Sequence, residues 1–277
     1  MNKEWLFRFG AIAATGIFLT ACDGNSDRVR ADGGGGGAAP RDVTLRASKG
    51  AIVGATCEIA PLNNPTNVLD TCLTDNNGDC SFTIPGDTGP ILSSCTGGRY
   101  FEEALGAEVE VAEGQVFRSA APSNRDRVAV TPFTDLIAER LVNSGVEQLL
   151  DADVEAVNND VSSFFGVADA LNPPQPIRNS DDLSTLSGEE GAYAAALAGF
   201  SSVAGGDSQT LLNSLRDDIA DGTINQINQN DFDQATRSAA EGTEAEDDVE
   251  DNQAQPLRNN GDISAPTGAT GGTGGGS

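Results

Sequence analysis

The fold of this chain is decided at residues 74–86, which read TDNNGDCSFTIPG. The first half of this stretch is rich in turn-forming residues and has an Asn-Gly pair at its centre, which is a strong hairpin signal. The second half alternates, so that Cys80, Phe82 and Ile84 share one face of a strand. A Pro-Gly pair then ends the strand. The stretch therefore predicts a β-hairpin that turns one face towards a core.

Further strands are predicted on both sides of this hairpin. Apolar residues alternate at 43–47, 52–59, 68–74 and 90–96, with weaker candidates at 109–111, 116–120 and 128–130. Turn signals separate these segments at the spacing typical of a small β protein. We therefore expect residues 43–130 to form a small, disulfide-bonded antiparallel β-sandwich.

The apolar period changes after residue 130. Apolar residues recur at helical spacing at 133–141, 154–165, 192–204 and 211–219, and a last short helix is predicted at 231–240. The predicted caps are Asp151, Ser187 with Glu190 in a capping box, and Asp207. We expect residues 131–240 to form an all-α bundle of four or five helices, so the fold class is α+β in two segments.

The N-terminal segment has the composition of a secretory signal. Lys3 and Arg8 precede an apolar run at 9–20. This run is shorter than the roughly 20 residues that a membrane span needs. The run ends in Leu-Thr-Ala-Cys and so resembles a bacterial lipoprotein signal. This resemblance implies that residues 1–21 are removed and that Cys22 is acylated, with palmitate among its chains. The alternatives are a buried N-terminal helix and an ordinary cleaved signal.

Both ends of the mature chain are expected to lack a fold. Residues 22–42 are rich in Gly and Asp and predict a flexible tether behind the lipidated cysteine. Residues 241–277 are acidic and Gly-rich and contain few large aliphatic side chains. Such a composition buries too little apolar surface to offset chain entropy, so it predicts a disordered tail.

Several motifs resemble those of carboxypeptidase-regulatory-like, or transthyretin-like, sandwich modules. The segment 49–57, KGAIVGATC, looks like their opening strand pair, and 74–82, TDNNGDCSF, is similar to their hairpin motif. Residues 97–103, GGRYFEE, with the helix start at 131–134, are similar to segments of such modules in bacterial lipoproteins. The resemblance covers about 45–225 and implies a sandwich followed by an all-helical region. It implies a non-catalytic spacer or binding role, because the peptidase activity of the name-giving family resides in a different domain.

Four cysteines follow Cys22, and in an exported chain this even number predicts two disulfides with three possible connectivities. Alternation places Cys57 and Cys80 on inward faces, which favours pairing them and leaves Cys72 with Cys95. A zinc site is the alternative, but its usual close Cys-x-x-Cys pair is missing.

Only one other group of side chains resembles a metal site. Asp75, Asn77 and Asp79 alternate like the start of a calcium loop, yet Cys80 and Gly86 stand where an EF-hand needs glycine and glutamate. The turn itself explains the same residues, so they stay a weak calcium candidate and no metal or other cofactor is predicted.

Charge and composition exclude several functions. The net charge is −26, which disfavours nucleic acid as a partner, and the chain has no histidine for a Ser-His-Asp or Cys-His site. The pair Ser201-Ser202 lacks an evident base, since Lys49 is the only lysine that would remain after processing.

The sequence favours a non-catalytic, lipid-anchored protein of the bacterial cell envelope. Its expected partners are the membrane, through Cys22, and an envelope protein or glycan, for which Tyr100 and Phe101 are a candidate surface.

One alternative is a polysaccharide hydrolase that uses paired carboxylates. Adjacent acids such as Glu102-Glu103 are nevertheless expected to be solvated surface charge, as are Asp181-Asp182 and Asp217-Asp218. A further alternative is an accessory subunit of a secretion or surface-assembly machine, for which an exposed apolar patch on the helical half would be evidence.

Overall fold

The computed structural model describes residues 38–255, 258 and 260–268. This part of the chain is a mixed α/β protein, in which a β-sheet region at residues 41–130 precedes the helices. The predicted signal, Cys22 and the predicted tether up to residue 37 lie outside the described residues. The last two tether positions, 41 and 42, belong to the first strand.

Nine strands are found in the described part of the chain. Eight of them match the predicted strands in approximate position, and the ninth, at 99–102, is one that periodicity did not predict. The strands are β1 (Arg41–Ala47), β2 (Thr56–Pro61), β3 (Asp70–Leu73), β4 (Asp79–Ile84), β5 (Ile91–Thr96), β6 (Arg99–Glu102), β7 (Ala107–Glu110), β8 (Val116–Ala121) and β9 (Arg127–Val130).

The strands form two larger sheets and one hairpin. One sheet has the order β4-β1-β9 and the other has the order β3-β2-β5-β8, while β6 and β7 pair with each other. The expectation of purely antiparallel pairing is wrong at one place, because β9 runs parallel to β1. Local alternation does not reveal this pairing, because β1 and β9 are far apart in the chain, with the other strands between them.

Alternating residues of both larger sheets enter the same hydrophobic core. In β1, Val43 and Leu45 are fully buried while Thr44 between them is exposed. Cys57 and Ile59 of β2 are buried in the same alternating way. Each fully buried aliphatic side chain contributes about 1.5–3 kcal/mol, so this register is strongly favoured over a slip by one residue.

All four cysteines of the described chain form disulfides, and they connect Cys57 with Cys95 and Cys72 with Cys80. The pairing favoured from alternation, Cys57 with Cys80 and Cys72 with Cys95, is therefore wrong. The reason is strand order: Cys57 of β2 lies directly opposite Cys95 of β5, with 4.1 Å between the Cα atoms. Cys80 lies on β4 in the other sheet, so its bond to Cys72 of β3 connects the edges of the two sheets.

Seven helices follow the strands in the described residues. They are α1 (Pro132–Val142), α2 (Asp151–Phe165), α3 (Ser180–Leu183), α4 (Gly188–Val203), α5 (Ser208–Ala220), α6 (Gln229–Ala240) and α7 (Glu246–Gln253). The buried faces predicted for α1 and α2 are confirmed, including Phe133, Leu136 and Ile137 on α1 and Val154 and Phe165 on α2.

The predicted helix caps are partly confirmed. Asp207 precedes α5 and accepts a hydrogen bond from the backbone N–H of Thr210, as expected for an N-cap. Ser187 occupies the N-cap of α4, but its side chain makes no capping hydrogen bond, so the capping box is not formed. Asp151 is the first residue of α2 rather than its cap, and Leu150 takes the N-cap position.

The sheets and the helices share one continuous core. Helix α1 follows β9 directly and places Phe133 among aromatic rings, with its ring centroid 4.0 Å from that of Phe165. Phe200 of α4 and Phe232 of α6 meet the same ring edge-on. The described residues form one compact unit, so the change at residue 130 is a change of secondary structure within that unit.

The predicted disordered tail is wrong for residues 241–255 and 260–268. Helix α7 lies within this segment and buries Val249, while Ala245 in front of it is also buried against the helices. Ile263 is 6% exposed, and its N–H donates to the backbone carbonyl of Gly222. Composition missed this because a few well-placed apolar anchors suffice on a surface that the rest of the protein has already formed.

Among the described residues, no helix is both long and apolar enough to cross a bilayer.

Candidate functional site

The candidate site is a cluster of polar side chains buried between the sheet region and helix α4. At its centre is Lys49, which follows β1 in a tight turn closed by a bridge between Ser48 and Ala51. Gly50 adopts a φ of +59°, and a Cβ there would lie 2.4 Å from the carbonyl oxygen of Phe101. The turn is therefore packed directly against β6, and glycine is required at this position.

Two consecutive glutamates reach Lys49 from the neighbouring hairpin. Glu102 is the last residue of β6, and Glu103 follows it in the turn to β7. The side chains of Lys49 and Glu102 are 0% exposed and that of Glu103 is 3% exposed. Charged side chains are buried to this degree only when they are paired, so their partners define the site.

The three N–H donors of Lys49 are all used within the cluster. Its Nζ atom lies 3.2 Å from Oε1 of Glu102 and 2.6 Å from Oε2 of Glu103. It also donates to Oγ of Ser201, a fully buried residue of α4. The Ser201 hydroxyl in turn donates to Oε2 of Glu103 at 2.6 Å, which closes a ring of hydrogen bonds.

Tyr100 covers one side of this ring. Its aromatic centroid lies 5.6 Å from Nζ of Lys49, within the range of a cation–π contact. Its hydroxyl donates to Oε2 of Glu102 at 3.4 Å and accepts from Nε2 of Gln209 on α5 at the same distance. Burial is the main cause that raises the pKa of Tyr100 well above its ordinary value, so the phenol remains a neutral donor.

The cluster contains one amine and two carboxyl groups. It therefore holds more acidic than basic groups in a region shielded from water. One carboxyl oxygen, Oε1 of Glu103, is buried and has no hydrogen-bond partner among the described residues. Such an oxygen is costly to bury as part of a carboxylate, at about 1–3 kcal/mol or more. Chemically, the arrangement brings an amine, a hydroxyl and a carboxyl group into mutual contact.

The sequence prediction for Glu102-Glu103 is wrong, because both side chains are buried rather than solvated. Tyr100 and Phe101 are 2% and 6% exposed, so most of each side chain packs in the interior. Both also border a surface cavity of about 300 Å³ with Arg99, and the binding surface proposed for them stays a prediction. Ser201, which lacked an evident base in the sequence, contacts Lys49. This cluster was not predicted from the sequence; its one available signal was that Lys49 is the only lysine among the described residues and stands beside a glycine turn.

The weak calcium candidates are engaged in other contacts. Oδ1 of Asp75 accepts the backbone N–H groups of Asn77 and Asp79, at 2.7 and 3.0 Å, and so shapes the turn. The Asp79 carboxylate receives two hydrogen bonds from Arg46, at 2.7 and 2.9 Å. Among the described residues, no group of three metal-binding side chains is assembled.

The other acidic pairs each have local partners. Asp182 contacts Arg178 through both carboxylate oxygens, and although burial opposes the change, these hydrogen bonds lower the pKa of Asp182. Oδ2 of Asp218 accepts the backbone N–H groups of Asn225 and Gln226. The partners of Asp182 and Asp218 in these contacts are an arginine and backbone N–H groups, and not a second acid on the far side of a cleft.

The described surface carries an open, polar groove at the helical end. A cavity of about 620 Å³ lies beside the C-terminal end of α2, and a smaller one of about 200 Å³ lies next to it. The two share Ala168 and Glu189 in their linings, and the smaller is bordered by Arg127, Asp169 and Glu190. This groove is separate from the buried cluster around Lys49.

Comparison of the chain with models of protein families, with curated proteins and with solved structures gave no match.

Proposed function

We propose that this chain is a non-catalytic, lipid-anchored scaffold protein of the bacterial cell envelope, in which Cys22 carries the acyl chains. The single observation that supports the non-catalytic role best is the sealing of the Lys49 cluster. Its amine, carboxyl and hydroxyl groups bond to one another and lie between 0% and 3% exposed, so no substrate reaches them. Through Lys49, Glu103 and Ser201, the cluster connects the turns after β1 and β6 with α4.

The architecture we propose for the sheet region is a carboxypeptidase-regulatory-like β-sandwich followed by a helical bundle. Two sheets of three and four strands bury alternate residues in one core, which is what packed sheets require. The continuity of this core with the aromatic cluster around Phe133 supports a role as a spacer.

The alternative of a polysaccharide hydrolase is less well supported. Such an enzyme needs two carboxyl groups on either side of a cleft that admits sugar and water. Glu102 and Glu103 instead share the amine of Lys49 in the interior. The alternative of an accessory subunit has little support in the helical half. Among its described residues, Val142 on α1 and Leu150 just before α2 are the only large hydrophobic residues that are exposed.

The anchor is tested by metabolic labelling with an alkyne analogue of palmitate in a bacterial host. We expect the wild-type chain to incorporate the label and to enter the detergent phase on extraction. The Cys22→Ala variant should do neither. Label in that variant, or its absence in the wild type, would contradict lipidation at Cys22.

The scaffold role is tested by placing a photo-crosslinking amino acid at the groove. Glu190 borders the groove with a half-exposed side chain, and the exposed Glu108 on β7, which does not line the groove, serves as the control. We expect one specific crosslinked envelope component from position 190 and none from position 108. Equal products at both positions, or hydrolysis of envelope polysaccharide that Glu102→Gln abolishes, would count against the proposal.

A further inference from the structure

We propose that Lys49 and Glu103 are joined by an amide bond between their side chains. The two groups are already in contact, since Nζ of Lys49 lies 2.6 Å from Oε2 of Glu103. Both side chains are buried, and the turn around Gly50 holds the lysine against β6. The proposal concerns a covalent modification and goes beyond the scaffold role.

The geometry supplies the main requirement for the reaction, which is proximity. An amine and a carboxyl group fixed next to each other react as if each were present at a very high effective concentration, about 10⁵–10⁸ M in well-oriented cases. Exclusion of water acts in the same direction, because water is a product and its return would hydrolyse the bond. The ion pair is also costly to keep buried, whereas an amide is neutral.

Glu102 is placed to move the protons. Its Oε1 atom lies 3.2 Å from Nζ of Lys49 and accepts one proton from the ammonium group. The free amine then forms an N–C bond to Cδ of Glu103, and one Cδ–O bond breaks. The departing oxygen takes the proton held by Glu102 and a second proton from the nitrogen, and it leaves as water. The ammonium and the carboxylate are consumed together, Glu102 returns to its first state, and no oxidant or reductant is needed.

The orphaned oxygen of Glu103 fits this product. Oε1 is buried without a hydrogen-bond partner in the described structure. In the amide it becomes a neutral carbonyl oxygen, for which burial without a partner costs less than for a carboxylate oxygen. The other oxygen, which now accepts from Lys49 and Ser201, is the one that leaves.

The bond would enclose the disulfide-bonded part of the sheet region. Both disulfides, Cys57–Cys95 and Cys72–Cys80, lie between residues 49 and 103 in the chain. An amide across this span forms the outermost of three nested cross-links. It persists under reducing conditions, which break the other two.

The test is a tryptic peptide map of the full-length wild-type protein after denaturation, reduction and alkylation. An acylated Lys49 is not cleaved, so we expect peptide 47–99 joined to peptide 100–118, with a mass lower than their sum by one water molecule. Fragmentation should place the bond between Lys49 and Glu103. Recovery of 50–99 and 100–118 as separate peptides would overturn the proposal.

Two other results would also overturn it. One is a bond that fragmentation assigns to Glu102. The other is a loss of water that joins 100–118 to 179–216, the peptide that contains Ser201, since this would be an ester with the serine hydroxyl.

Two variants test the chemistry further. Lys49→Arg keeps the positive charge but has no amine that forms a stable amide, so we expect only separate peptides. Glu102→Gln removes the proton acceptor. We expect the linked fraction to accumulate more slowly by a factor of about 100 or more, in line with the effect of general acid–base catalysis. An unchanged rate in Glu102→Gln would contradict its role. If either variant fails to fold, the wild-type map still decides whether the bond exists.

Discussion

Arg216 of α5 lies 2.5 Å from the carboxylate of Asp135 on α1, measured between Nε and Oδ2. Asp135 is fully buried, and its other oxygen accepts hydrogen bonds from the backbone N–H and from Nε of Arg118 on β8, at 2.9 and 3.1 Å. One acid therefore connects a helix that follows the sheet region with both a strand and a more distant helix. The arginines reach the surface, with side chains about one fifth exposed.

Asp135→Ala should destabilise the protein by about 3 kcal/mol, because it leaves the mostly buried guanidinium group of Arg216 without an acid and leaves Arg118 with Glu139 alone. The free energy of unfolding from urea denaturation measures this. Glu108→Ala is the matched control, since Glu108 pairs with Arg99 on the surface and both are more than half exposed. That variant should change stability by less than about 1 kcal/mol. Similar losses in the two variants would contradict a structural role for the buried acid.

Sequence periodicity was sufficient to predict the regular elements whose pattern is local. The core faces of α1 and α2 are confirmed, because residues three or four apart on a helix necessarily share a side. The turn at 74–79 and the strand at 79–84 are likewise encoded by neighbouring residues. Strand order is not local, and for this reason the cysteine pairing and the parallel placement of β9 beside β1 were not predicted.

The candidate site was not predictable for the same physical reason. Lys49 contacts Glu102 and Ser201, which lie 53 and 152 positions further along the chain. Nothing in the neighbourhood of each residue indicates this meeting. Two adjacent glutamates look like solvated charge until the fold places the only lysine of the described chain between them.

The glycine turn next to Lys49 gives a second prediction. Gly50→Ala should destabilise the protein strongly, because the φ of +59° is unfavourable for alanine and its Cβ would clash with the carbonyl oxygen of Phe101. Gly54→Ala is the control: its φ is +73°, but a Cβ there meets no atom within 4 Å. The control should lose only the cost of the backbone conformation, about 1–2 kcal/mol. Thermal and urea unfolding of both variants measure the difference, and equal losses would show that the turn is not packed as described.

The two disulfides should contribute unequally to stability. The Cys57–Cys95 bond spans 38 residues and the Cys72–Cys80 bond spans 8. In the loop-entropy model these lengths correspond to about 4 and about 2.5 kcal/mol, so the double variant Cys57→Ala/Cys95→Ala should be the less stable of the two. Urea denaturation of both double variants measures the order. Non-reducing peptide mapping with cleavage between the cysteines checks the connectivity, and a Cys57–Cys80 peptide would contradict the fold.

Asp153 near the start of α2 makes the attachment of the C-terminal segment sensitive to pH. Oδ1 accepts the backbone N–H groups of Thr267 and Gly268, at 2.7 and 3.1 Å, while Oδ2 accepts that of Leu150 at 2.8 Å. Burial opposes the charged form, but these hydrogen bonds outweigh it and lower the pKa of Asp153 from its ordinary 3.8. A lowered pKa in the folded state means that the stabilisation is complete above pH 3.8 and is lost as the pH falls through the folded value.

Asp153→Asn should therefore destabilise the protein by about 1–3 kcal/mol at neutral pH, because an amide nitrogen would replace one accepting oxygen and face a backbone N–H group. The difference from wild type should stay constant at neutral pH and shrink below pH 3.8, where the aspartate of the wild type also becomes protonated. Urea unfolding at several pH values measures it, with the exposed Asp87→Asn as control. Hydrogen exchange should show faster exchange at 260–268 in the Asp153 variant alone. A stability difference that does not change with pH, together with unaltered exchange in that segment, would contradict the role of this carboxylate.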